Sequence, residues 1–141
     1  MTEHWFWEGQ LSKEYCDALI LEYKDSATRP AKIGLDNAIE KEYRITSVTG
    51  ISPDSLIGTQ LFNFALLANQ RAGWWFDVVN MENVQFAKYE KDGHYEWHGD
   101  QYAGENPRKL TVVVLLSDPD TYEGGDLVFN MRSPAALTRK Q

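Results

Sequence analysis

The apolar positions of this 141-residue chain change period once, near Gly73, and the change divides it into a helical part and an extended part. Cys16, Leu19, Ile20 and Tyr23 fall at i, i+3, i+4 and i+7, the stripe of a helix with one buried face. Ser12 is a suitable N-cap, so the spacing predicts a helix from there to about Asp25. A second stripe, Ile57, Leu61, Phe64, Ala65 and Ala68, predicts a helix capped by Ser52, with Pro53 at its first position and Gly73 as its stop. Phe62 and Leu66 widen its apolar face, which predicts cover on more than one side. Between the two helices, residues 26–41 are broken by Pro30 and Gly34 and read as loop with a short strand at most. Residues 42–48 alternate weakly and read as a strand.

Beyond Gly73 the alternation is two-residue. Val84 and Phe86 interleave with Gln85, Ala87 and Tyr89, which predicts a strand with one apolar and one mixed face. Asp92-Gly93 is a turn signal, favoured where the backbone needs a positive φ. Leu110 to Leu116 is an apolar, largely β-branched run and predicts a strand covered on both faces. Residues 117–120 and 123–126 read as turns, 127–129 as a short strand, and the tail from Arg132 as having little to bury. Helices before strands favour an α+β fold in one domain, 1–141, with the helices packed outside a sheet.

Composition narrows the functional classes. Net charge is −7 and no Lys/Arg cluster forms a phosphate-tracking stripe, which argues against a nucleic-acid partner. No run of about 18 apolar residues suggests a membrane span. The opening Met-Thr-Glu-His-Trp lacks the basic flank and apolar core of a secretory signal. Cys16 is alone, so no internal disulfide forms, and a cytoplasmic location is the expectation.

Candidate chemistry concentrates in residues 89–100. His98 and Asp100 are separated by Gly99 alone, so on a strand they share a face. Their roots then stand about 7 Å apart, and convergence on one ion needs a bend that Gly99 can supply. An imidazole and a carboxylate so placed can fill two corners of a 2-His-1-carboxylate site. The plainer alternative is a surface pair at a strand end. His94 stands four residues from His98, a zinc spacing on a helix but about 13 Å apart on a strand, so it is expected on the surface or at a pocket rim. His4 is expected to be solvated, Cys16 to be a small core residue, and Trp74-Trp75-Phe76 to be core. A different class of reading uses Trp74, Trp75, Tyr95 and Trp97 as a stacking platform for a sugar or peptide, with no metal.

The segment Tyr89-x-x-x-Gly93-x-Tyr95-x-x-His98-x-Asp100 resembles the signature of Fe(II)/2-oxoglutarate-dependent oxygenases of the prolyl 4-hydroxylase type. Residues 6–20 are similar to that family's opening helix, 108–118 to the long strand after its metal motif, and 122–127 to its Gly-Gly turn. The resemblance implies a double-stranded β-helix (a jelly-roll, cupin-like fold) with N-terminal helices on one sheet, residues 83–89, 95–98 and 109–116 as strands, and His98 and Asp100 facing inward. It implies Fe(II) held by His98 and Asp100, 2-oxoglutarate as co-substrate beside Tyr89, Thr111 and Leu115, and ascorbate as reductant. Gln85 and Ala87 would share the inward face with Tyr89. The implied reaction is hydroxylation of a prolyl or similar residue in a peptide, or of an amino acid. The family's distal histidine and following cation have no counterpart, since Arg132, Arg139 and Lys140 do not match that position. The expectation is a β-helix incomplete at its C-terminal side, or a non-catalytic remnant. By itself the chain is expected to bind Fe(II) weakly without turnover.

Overall fold

The computed structural model describes residues 3–32, 39–101, 107–129 and 135–137. Helix α1 spans Lys13–Tyr23, and the Ser12 side chain accepts from the Tyr15 N–H as its N-cap. Cys16 and Leu19 are its buried positions, one turn apart on the predicted stripe. Helix α2 spans Leu56–Arg71 and starts later than the stripe suggests. Its cap is Ser55, whose hydroxyl accepts from the Gly58 N–H, while Ser52 and Pro53 form the turn before it. That turn packs against the helix at Gly58, where a Cβ would collide with the Pro53 carbonyl. Ile57, Leu61, Ala65 and Ala68 are buried as predicted. Phe62 is half-buried, but Leu66 is exposed, so α2 is not covered on its far side. Gly73 takes a φ of +70° just past the helix, the left-handed conformation that favours glycine.

Strand β1 (Arg29–Pro30) pairs antiparallel with β3 (Ser47–Ile51), which pairs antiparallel with β4 (Val84–Lys88). Both helices pack on one face of this sheet around Leu19, Ile51, Ile57 and Leu61, with Val84 and Phe86 of β4 against them. The Tyr15 hydroxyl meets Gln60 Oε1 at 3.0 Å and ties α1 to α2. The opposite face of β4 carries Gln85 and Ala87, with Tyr89 just beyond its end, and all three are exposed.

The predicted strand at 42–48 is two strands in different sheets. Arg44–Ile45 is β2, which pairs with β5 (His94–Tyr95), whereas Ser47 onward belongs to β3. The chain changes sheets at Thr46, which is buried and donates its hydroxyl to the Lys88 carbonyl at 2.9 Å. Its own carbonyl accepts from Ala31. A third small sheet pairs β6 (Leu127–Phe129) with β7 (Ala135–Leu137).

Two strand expectations are corrected. The strand expected at 95–98 ends at Tyr95, because the chain bends at Trp97. The 109–116 run forms no ladder among the described residues: β-branched composition supplies propensity, but a strand also needs a hydrogen-bonded neighbour. Nor is the run covered on both faces, since Val114 and Leu116 pack on the core while Val112 and Val113 are 40% and 54% exposed. The helices on one face of an antiparallel sheet agree with the α+β expectation, but no closed β-helix is formed by the described residues. Arg132, Arg139 and Lys140 lie outside them, as do residues 33–38 of the predicted loop. No described helix is long and apolar enough to cross a membrane.

Candidate metal centre

After β4 the chain reverses through 90–93, where the Gly93 N–H donates to the Glu90 carbonyl at 2.8 Å. Asp92 takes the positive φ, +65°, and Gly93 is needed for space: a Cβ there would lie 2.8 Å from the Glu90 oxygen. The turn delivers β5 against β2, with Tyr95 directly opposite Arg44 and the Glu96 N–H on the Tyr43 carbonyl. His98 and Asp100 leave this anchored segment together.

Their side chains converge, with His98 Nε2 3.2 Å from Asp100 Oδ1. The bend is not owed to glycine at 99, which has no positive φ and would have open space around a Cβ. The imidazole is held from two other directions. His98 Nδ1 lies 2.6 Å from the Glu96 carbonyl, and its ring stacks on Tyr95 with centroids 3.5 Å apart. A carbonyl oxygen only accepts, so Nδ1 carries the proton, and in the neutral ring Nε2 is left as an acceptor. Two acceptors then face each other across 3.2 Å, an arrangement that is relieved by a proton on Nε2 or by a cation bound to both. Donors at adjacent corners around an ion with bonds of about 2.1 Å stand roughly 3 Å apart, so the pair has the spacing that a shared ion needs. Both side chains are partly accessible.

Asp100 is positioned through its backbone. Arg108 grips the Glu82 carboxylate with Nε and Nη2, at 3.2 and 2.7 Å, and donates from Nη1 to the Asp100 carbonyl at 3.1 Å. Such a two-point grip fixes geometry as well as charge. Arg108 and Asp100 also border a cleft of about 370 Å³, with Phe76, Gln101, Lys109 and Thr111 on its walls.

The other candidate residues fall in different places. Thr111 is on the cleft, whereas Tyr89, 47% exposed, and the half-buried Leu115 do not line it. His94 is half-buried, with Nδ1 near the Asp92 carbonyl and Nε2 near the Glu42 carbonyl, at 3.1 and 3.3 Å. These carbonyls, Asp92 first, raise its pKa above the ordinary value, and they occupy both ring nitrogens. His4 is half-buried rather than solvated, and stacks loosely on Phe6 and Phe129. Cys16 is in the core, only 3% exposed. Trp74-Trp75-Phe76 is not core: Trp74 is half-buried, Trp75 is 71% exposed, and Phe76 borders the cleft. The Asn69 side chain, in the last turn of α2, bridges the Phe76 N–H and carbonyl and ties the segment to the end of the helix. No group of three or more His, Cys, Asp or Glu side chains that could hold a metal occurs among the described residues.

Residues 84–140 match the family model of the 2OG-Fe(II) oxygenase superfamily. The match starts with β4 and takes in His98, Asp100, Arg108 and Thr111. It brings Fe(II)- and 2-oxoglutarate-dependent oxygenation as the family's chemistry, with a double-stranded β-helix as its fold. No curated protein and no solved structure shows a significant match to the chain. Sequence reasoning missed Arg44, Glu82 and Phe76 as neighbours of the site, and gave Arg108 no role. Nothing local marks Arg44 or Glu82, since each acts on a residue more than fifteen positions away.

Proposed function

We propose that this chain carries an Fe(II)- and 2-oxoglutarate-dependent oxygenase centre in which His98 Nε2 and an Asp100 carboxylate oxygen are two of the protein's metal ligands. The observation that carries the reading is the pair of acceptors 3.2 Å apart, with the imidazole tautomer set by the Glu96 carbonyl. When bound, Fe(II) supplies the chemistry that couples 2-oxoglutarate and O₂ to succinate, CO₂ and a hydroxylated C–H bond. The chain's own part is to hold the two ligands in register and to offer the adjoining cleft. In that cleft the Thr111 hydroxyl and the Lys109 ammonium can bond a carboxylate, while Phe76 supplies an apolar wall. Of the three residues expected beside 2-oxoglutarate, Thr111 borders this cleft and Tyr89 and Leu115 do not; ascorbate is proposed to keep the iron ferrous. The proposed substrate is a prolyl or similar residue of a peptide, or an amino acid of that shape.

Two ligands hold a divalent ion weakly, so the 141 residues by themselves are expected to bind Fe(II) with low affinity and not to turn over. The test is anaerobic titration with Fe(II) or Co(II), comparing the wild type with H98A and D100N. Binding that is saturable in the wild type and at least tenfold weaker in both variants is expected, and variants that bind like the wild type would sink the reading. The aromatic platform is less well supported, because Tyr95 is already stacked on His98 and lies under the Arg44 guanidinium.

A further inference from the structure

Arg44 and Tyr95 are directly opposed across the β2–β5 pair, and the guanidinium carbon lies 4.3 Å from the centroid of the tyrosine ring. His98 stacks on the same ring at 3.5 Å with the planes 17° apart. Two planar groups this close to one centroid must take opposite faces, so Tyr95 is sandwiched between a cation and the imidazole. Arg44 is anchored in turn by Nη2, which donates to Gln85 Oε1 on β4 at 2.9 Å. Its Nε is buried without a hydrogen-bond partner among the described residues. The Gln85 bond and the cation–π contact together hold the guanidinium over the Tyr95 ring. Tyr43 adds a third support, with its ring edge-on to Tyr95 at 5.8 Å and its hydroxyl donating to the Trp97 carbonyl at 2.9 Å.

We propose that Tyr95, backed by Arg44, is a positioning residue that sets the His98 ring in its metal-binding orientation before any metal arrives. The inference rests on the assignment of His98 as a ligand. The Glu96 carbonyl fixes which nitrogen carries the proton, and the stack fixes the plane of the ring. Together they hold Nε2 on Asp100 in a segment where no residue is fully buried to do the same by packing. A ring already oriented loses little rotational freedom on binding, and outer contacts of this kind are worth about 10- to 100-fold in metal affinity.

The experiment compares wild type, Y95F, Y95L and R44M in two measurements, with circular dichroism as a check on folding. In the metal-free protein, NMR of the His98 ring protons reads the stack directly. The upfield ring-current shift is expected in the wild type and in Y95F and lost in Y95L. In Co(II) titrations, Y95F is expected to bind close to wild type, Y95L about tenfold or more weaker, and R44M weaker by a smaller factor. Should Y95L fail to fold, R44M carries the same test, because it removes the cation while leaving both rings in place. Unchanged Co(II) affinity in the folded variants, or His98 signals indifferent to Y95L, would overturn the positioning role. A wild type that takes up no Co(II), and is indistinguishable from H98A, would instead overturn the assignment of the ligand. The metal-free NMR comparison would still show whether the stack exists.

Discussion

The two parts of the molecule are held together differently. Every buried residue among those described lies at or before Asn69, and from Gln70 to Phe129 none is buried. The first part is organised by apolar packing of α1 and α2 on the β1–β3–β4 sheet around Leu19, Ile51, Ile57 and Leu61. The second part, which holds His98 and Asp100, is organised by directed contacts: the Arg108–Glu82 grip, the Arg44–Tyr95–His98 stack and the carbonyls facing His94. Burial is strong and non-directional, and tolerates small displacements. Directed contacts at a surface are individually weak but specify orientation, which is what a pair of metal ligands requires. The difference predicts a stable platform carrying a site that opens more readily than the platform unfolds.

The largest expected effect breaks the platform. L61A removes a core side chain that is 7% exposed and is expected to cost about 2–5 kcal/mol of global stability, measured by urea unfolding. Loss confined to the 94–101 segment, with the helices unaffected, would contradict the division drawn above. Next comes the metal, which should act in the opposite sense. At 100 times its dissociation constant a bound ion stabilises by about 2.7 kcal/mol. Hydrogen exchange should then show the gain first at residues 94–101, and only later in α1 and α2.

A sharper comparison lies within the site segment, between its two glycines. G93A places a Cβ 2.8 Å from the Glu90 oxygen and is expected to cost about 1–3 kcal/mol by crowding. G99A adds a methyl group to open space at an unstrained φ and is expected to stay within about 0.5 kcal/mol of wild type. Thermal unfolding of the two variants decides this, and equal losses would mean that the 98–100 bend depends on glycine after all.

The smallest effect is one of pH. The Asp92 and Glu42 carbonyls favour the charged form of His94 and raise its folded pKa. The stability it contributes is therefore fully present below the unfolded value of about 6.5, and is lost as pH rises through the higher folded value. H94Q should flatten that part of the stability–pH curve, and an unchanged slope would show that the carbonyls do not act on the charged ring.

The helices, the alternation of β4, the turn at Asp92-Gly93 and the candidacy of His98 and Asp100 are legible in the order of residues alone. Each of these is a local matter: a 3.6-residue stripe, a two-residue alternation, a glycine where a Cβ would collide, two ligand-type side chains on either side of one residue. Even so, α2 starts at Ser55 rather than Ser52, because both serines offer a capping hydroxyl and the choice depends on where the Pro53 turn packs. That 42–48 divides between two sheets at Thr46, and that Val112 and Val113 of the apolar run face outward, follows from the folded arrangement. It alone brought Arg44 to Tyr95 and Glu82 to Arg108. A stripe records which side of an element avoids water, but it carries no information about which element lies on the other side. Cross-strand stacks and two-point ion pairs join residues dozens of positions apart, so the supports of the His98–Asp100 pair become visible only when the strands are paired.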